Sequence, residues 1–305
     1  MIAIAKKLPG LIGIILGAVL VVHTLIYLIP GDPALVIAGE YANPEDIEKI
    51  RQELALHESF WIRYGVYLSR MIRLDMGTSI YSGIPVIDII CERFPATLLL
   101  ATVAMLVAAV FGIAAGLIAA VFQGRIADTA ILWISSVFIS TPIFVTCILL
   151  SLVFSYYLNL LPPSGKEGLN PAYLVLPAAA LASRSLALII RVVRNEMIEV
   201  LRKQYIRTAR SLGFPETRVV LIFALKNIIV PVLTIVLLDF GAYLGGAVVT
   251  ESVFSWPGIG RTLIVALYKR DVPVMQGIIL FGTLLFVFLG GAIDLLQRSI
   301  GHTEG

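Results

Sequence analysis

The sequence predicts an all-α polytopic membrane protein with six transmembrane helices and a small helical extracytoplasmic segment after the first span. Three observations carry this prediction. The 305 residues are 59% apolar and only 14% charged, with a mean hydropathy of +0.95, where a soluble domain carries roughly 25% charge. The apolar residues come in long runs rather than at amphipathic spacing. The basic residues gather in particular loops. An ordinary soluble enzyme is excluded. A net charge of +3, with cations clustered by loop rather than spread along a groove, gives no ground for nucleic-acid binding.

The first span, residues 11–29, follows Lys6 and Lys7 and is interrupted only by His23 and Thr24. At 1.5 Å per residue it nearly crosses a hydrocarbon core of roughly 30 Å. It is longer than the apolar core of a signal peptide, about 7 to 15 residues. His23 reads as a packed or cavity-facing residue rather than a ligand. Residues 30–94 are too polar to span and too long for a simple turn, so they form a small outer segment. Within it Asn43, Pro44, Glu45 and Asp46 read as an N-cap, a first-turn proline and acids set against the helix dipole, which predicts a helix over 44–56. Trp61, Tyr64 and Tyr67 recur at helical spacing in a second helix suited to the membrane interface. The remaining spans are predicted at 95–122, 129–158, 172–190, 227–250 and 276–296, with Pro142, Pro177 and Pro231 kinking their helices. The chain thus divides into a first span plus outer segment, 1–93, and five spans with their loops, 94–303.

Short loops rich in Lys and Arg are retained in the cytoplasm. With both termini there, the inner face carries Lys6, Lys7, Arg125, Arg298 and a basic loop over 191–226, which holds Arg191, Arg194, Arg202, Lys203, Arg207, Arg210, Arg218 and Lys226. The outer segments are then net negative. Three charges fall inside spans, Arg184, Asp239 and Asp294. Such charges are costly and face a cavity or a partner. An Arg184–Asp239 pair that holds spans together and a lining of a pathway between spans are both consistent with the sequence.

Residues 195–215 read NEMIEVLRKQYIRTARSLGFP. A short helix is predicted over 205–212, stopped by Gly213 at positive φ and followed by Pro215. Ile206, Ala209 and Leu212 fall on one face at i, i+3 and i+6, with Thr208 beside them and Arg207 and Arg210 flanking. That small-residue apolar strip suits docking into a partner's groove. Arginines that only fix topology would explain the charge of this loop, but not the glycine stop or the strip.

Catalytic and cofactor motifs are absent from the sequence. No G-x-x-x-x-G-K-[ST] phosphate loop occurs, since the one Gly-Lys pair, Gly165-Lys166, is followed by Glu167. His57-Glu58 lacks the second histidine of a zinc-protease string, whose place is taken by Trp61. Cys91 and Cys147 form no Cys-x-x-Cys motif.

YIRTARSLG at 205–213, followed by ALKNIIVP at 224–231, resembles the coupling loop of permeases of the dipeptide/oligopeptide/nickel ABC importer family. Further strings in family order are IPGDPA at 29–34, RFPATL at 93–98, LPPSG at 161–165, LGGAVVTESVFSWPGIGR at 244–261 and RDVPVMQG at 270–277. Together they cover nearly the whole chain. Arg207, Thr208 and Ala209 stand where the general permease motif has a glutamate and two alanines, LALHES at 54–59 replaces a more glycine- and aspartate-rich string, and Asp239 stands where relatives are usually uncharged.

The resemblance implies a type I ABC importer permease fold and a coupling helix made of Tyr205, Ile206, Arg207, Thr208, Ala209, Arg210, Ser211, Leu212, Gly213 and Phe214. It implies a second homologous permease, two cytoplasmic ABC ATPases that bind the ATP and Mg, and an extracytoplasmic substrate-binding protein. The setting implied is a bacterial inner membrane, with di- or oligopeptides as cargo, or alternatively nickel chelates or glutathione. An ion-coupled secondary transporter often shows paired repeats with interrupted helices. An intramembrane enzyme needs convergent nucleophile or metal residues. Neither pattern is present in the sequence.

Overall fold

The structure, a computed structural model, describes residues 43–53, 57–72, 75–165 and 170–301 together with scattered positions between 10 and 34. The side chains at 46, 50, 53, 70–72 and 293–301 are outside the description. The helices are α1 (Pro44–Glu53), α2 (Phe60–Ile72), α3 (Val86–Val121), α4 (Ile126–Ser140) and α5 (Ile143–Tyr157), whose Ser151–Tyr157 part is π-helical. They continue with α6 (Ala172–Leu201), α7 (Gln204–Ser211) and α8 (Glu216–Leu244), which carries a π-helical stretch at Val219–Ala224. The last are α9 (Val248–Val253), α10 (Ile259–Lys269) and α11 (Val272–Gly301). An isolated bridge joins Thr78 and Pro85. Most of the expected first span lies outside the described residues.

Among the described residues four helices, α3, α6, α8 and α11, are long and apolar enough to cross a membrane. The span expected over 129–158 is not one kinked helix. It is the pair α4 and α5, which meet at 106°. Pro142 has no N–H to donate, and its ring drives the preceding residue out of the helical region. Thr141 accordingly sits at φ −84°, ψ 122° and Pro142 at φ −57°, ψ 140°. Each arm of 15 residues reaches about 22 Å, short of the bilayer core. Pro177 and Pro231 remain inside α6 and α8. These helices continue because neighbouring packing holds the backbone on both sides of the proline.

The chain forms two compact units, one of Met1–Pro95 with Thr262–Val287 and one of Ala96–Arg261 with Phe288–Gly305. In the first, His23 is buried against the rings of Phe60 (centroids 5.0 Å apart) and Tyr64 (5.9 Å), and the Tyr64 hydroxyl donates to the Leu16 carbonyl at 2.9 Å. His23 is therefore a packed residue. Buried Asp271 accepts from the Ser79 hydroxyl at 2.6 Å and the Ile80 N–H at 3.2 Å, which fastens the turn closed by the Thr78–Pro85 bridge to the start of α11.

The second unit is organised around α6. Along α3 the residues Ala104, Ala108, Gly112, Gly116 and Ala120 form a seam of small side chains every fourth position, all buried. A Cβ added at Gly116 would lie 2.7 Å from Val193 Cβ and 2.9 Å from the Ile190 carbonyl, and one at Gly112 would lie 2.9 Å from Ile189 Cγ2. The two helices therefore approach to backbone distance. Packing of this kind holds helices together where lipid offers no hydrophobic contrast.

Candidate functional site

The short helix expected over 205–212 is α7, shifted one residue to Gln204–Ser211. It begins after Lys203, whose extended backbone (φ −66°, ψ 151°) separates it from α6. At its end the Gly213 N–H donates to the Arg210 carbonyl at 3.0 Å and the Phe214 N–H to the Ala209 carbonyl at 3.3 Å. This is the Schellman pattern of helix termination. Gly213 has φ +82°, as the sequence predicts. A Cβ there would meet nothing within 4 Å, so only the backbone conformation calls for glycine. Gly213→Ala should then fold and lose about 1–2 kcal/mol, a modest drop in melting temperature readable by thermal unfolding in detergent.

The strip expected to dock outward points the other way for two of its three residues. Ile206 and Ala209 are buried in this chain's own core with Val219, Val220 and Ala224. An amphipathic helix lays its apolar face on the nearest core, and here the start of α8 supplies one. Leu212 stays 72% exposed. The outward surface of α7 consists of Gln204, Tyr205, Arg207, Thr208, Arg210 and Ser211, with exposed Leu212 just past its end. Arg210 donates to both Glu216 oxygens, through Nε at 3.0 Å and Nη2 at 2.5 Å, and so clamps α7 to α8. Phe214 folds back with its ring 5.3 Å from that of Phe223, under the Arg218 guanidinium at 5.5 Å.

The region 191–226 is not an open basic loop, because α6 continues eleven residues beyond the expected end of its span at 190. Arg194 grips Asp128 with Nε at 2.6 Å and Nη2 at 2.7 Å, and Asp128, 3% exposed, also accepts the Gly124 N–H at 2.9 Å. Arg191 donates to the Ser136 hydroxyl at 2.8 Å. These two arginines tie α6 to α4. Asp128→Ala should cost about 3 kcal/mol by stranding the Arg194 charge, seen as a lower unfolding temperature, whereas an unchanged one would show the pair to be idle.

Of the charges expected inside spans, Asp239 on α8 accepts from the Ser185 hydroxyl of α6. The Tyr243 hydroxyl stands against the same Ser185 oxygen, and its single proton goes either to Ser185 or to the Leu181 carbonyl 2.8 Å away. The Arg184–Asp239 pair is not formed: Arg184 is exposed and makes no ion pair among the described residues. Asp294 lies on α11, and its side chain is outside the described residues.

Sequence reasoning missed Glu251, on α9. It is fully buried and accepts from the Thr97 hydroxyl at 2.7 Å and from the Arg261 N–H at 3.0 Å, while Thr97 itself accepts the Ile259 N–H at 2.9 Å. A Cβ at Gly258 would lie 2.4 Å from the carboxylate carbon and both its oxygens, and one at Gly260 3.0 Å from an oxygen. Trp256 Nε1 donates to the Ala96 carbonyl at 2.8 Å. The string TESVFSWPGIGR is thus wrapped around its own acid and pinned to Thr97. Burial pushes the Glu251 carboxyl above the usual glutamate range, and its hydrogen-bond donors pull it partly back. The available signal was one acid in an apolar stretch with two glycines close behind it.

Residues 112–302 match the family model described as "Binding-protein-dependent transport system inner membrane component", and residues 2–101 match "Binding-prot-dependent transport system membrane comp, N-term". The chain is 39% identical over 297 residues to the protein named "Glutathione transport system permease protein GsiC" of Escherichia coli (strain K12), covering 97% of this chain and 96% of that one. It is 36% identical over 323 residues to "Dipeptide transport system permease protein DppB" of Alkalihalophilus pseudofirmus, with the same coverage. Among solved structures, a chain of the inward-facing MetNI methionine ABC transporter matches with a TM-score of 0.57 at 18% identity, over 70% of this chain and 97% of that one. That likeness shows a shared fold.

Proposed function

Because the chain belongs to the family of binding-protein-dependent transport system inner membrane components, and is a multi-pass membrane protein, we propose that it is the permease subunit of an ATP-driven ABC importer of di- and oligopeptides. The observation that carries the coupling role is α7, a short helix closed by a Schellman cap and braced from behind, which presents Arg207, Thr208, Ser211 and Leu212 outward. Six spans, with α4 and α5 together as one crossing and both termini cytoplasmic, put α7 on the cytoplasmic side.

There α7 seats in a cleft of a cytoplasmic ATPase. Two such ATPases bind ATP and Mg and hydrolyse the nucleotide, while this chain holds no catalytic residue. Their closure pushes α7. Ile206, Ala209 and the Arg210–Glu216 clamp keep it from yielding, so the displacement passes into α8. The Arg194–Asp128 clamp carries motion of α6 into α4. The pathway forms with a second homologous permease and opens alternately to each side, and a substrate-binding protein delivers cargo to the small outer segment. Glutathione is the cargo favoured by the 39% identical relatives, and it is itself a peptide. A nickel chelate is the remaining cargo alternative.

Gly213→Pro tests the lever. Proline fixes φ near −65° and removes the N–H that closes the cap on Arg210. The importer carrying it should hydrolyse ATP but move only a small fraction of the normal cargo per ATP. Full coupling of hydrolysis to uptake in that variant would refute the lever role.

A further inference from the structure

The polar group at the α6–α8 contact contains two opposite charges that do not meet. Asp239 is half-buried; one of its oxygens is taken by the Ser185 hydroxyl, and the other has no partner among the described residues. Arg184, the neighbour of Ser185 on α6, is exposed and forms no hydrogen bond or ion pair among the described residues. The Tyr243 hydroxyl lies within electrostatic reach of both charges. Tyr243 is one turn from Asp239 on α8 and is anchored through Ser185 and the Leu181 carbonyl.

Two opposite charges in apolar spans gain a great deal by pairing and lose a great deal by standing apart without partners. Here the carboxylate is held on Ser185, itself a buried residue. Among the described residues the guanidinium keeps all its donors, and the carboxylate keeps a whole oxygen. What satisfies both is a ligand with an anion at one end and a cation at the other. A peptide with free termini has that form: its carboxylate matches the Arg184 fork in bidentate geometry, and its ammonium matches Asp239. The geometry points to Arg184 and Asp239 as a transient site for the charged termini of a peptide crossing the membrane, with Ser185 and Tyr243 as the positioning residues that hold Asp239 open. This rests on the uptake reading above and adds a contact within the permease itself.

The full importer, reconstituted in proteoliposomes with its binding protein, is assayed with radiolabelled dialanine and with glutathione. Arg184→Gln and Asp239→Asn should each lower ATP-driven uptake about tenfold, the loss of one charge-assisted hydrogen bond. Assembly and melting temperature should stay unchanged, and Arg184→Lys should recover much of the uptake. Unchanged uptake in both variants overturns this inference and leaves the uptake reading standing. Failure of Arg184→Gln and Asp239→Asn to assemble, with Arg184→Lys and Asp239→Glu assembling, makes the charges structural and also overturns it. A native importer that accumulates neither peptide overturns the uptake reading, and this inference with it.

Discussion

Glu251→Ala is expected to lower the stability of the solubilised protein by about 2–6 kcal/mol, because each of two buried donors left unsatisfied costs about 1–3 kcal/mol. The donors are the Thr97 hydroxyl and the Arg261 N–H, both aimed at the carboxylate of a residue that is itself fully buried. The alanine also leaves a void beneath Gly258, whose missing side chain is what admits the carboxylate. Glu251→Gln should cost less. Its amide oxygen can still accept from Arg261, and the Thr97 hydroxyl can rotate to accept from the amide nitrogen. Thermal unfolding in detergent ranks the two, and equal losses would contradict the hydrogen-bond account.

The sign of the pH effect follows from the raised carboxyl. Its folded-state value lies above the ordinary 4.5, so its stabilising contribution is fully present below 4.5 and is lost as pH rises through the folded value. The native protein should show a decline in stability across that window that Glu251→Gln lacks.

Gly116→Val should have an effect of comparable size by a different route. The added Cβ alone would stand 2.7 Å from Val193 Cβ and 2.9 Å from the Ile190 carbonyl, so α3 and α6 must separate along their seam. Overpacking a tight contact costs about 1–3 kcal/mol. Here a backbone carbonyl is among the atoms struck, which puts the loss at the upper end. Gly290 on α11 is the control, since a Cβ there meets nothing within 4 Å. Gly290→Ala should be neutral or gain up to about 1 kcal/mol from helix propensity. A Gly116→Val protein with native folded yield and melting temperature would show that the seam does not hold the two helices.

The long helices were legible because apolar runs have no other solution in a bilayer. The stop at Gly213 was legible because positive φ selects glycine. What escaped depended on which neighbour each residue met. Pro142 breaks its helix while Pro177 and Pro231 do not, and a proline's own chemistry is the same at all three. Ile206 and Ala209 form the apolar strip that the sequence shows, but the strip covers the chain's own α8, a surface that spacing along one helix cannot reveal. Arg191 and Arg194 look like loop cations until α6 is seen to run on to Leu201, where they meet Ser136 and Asp128. Glu251 and Thr97 are 154 positions apart, and no local pattern joins them.

The reading of this chain as an ATP-driven permease is tested most directly by peptide accumulation in proteoliposomes that hold the chain with its partner permease, ATPases and binding protein. Accumulation that requires internal or external ATP on the ATPase side and persists when a protonophore collapses the proton gradient is the predicted result. Accumulation that proceeds without ATP and disappears with the proton gradient would contradict it.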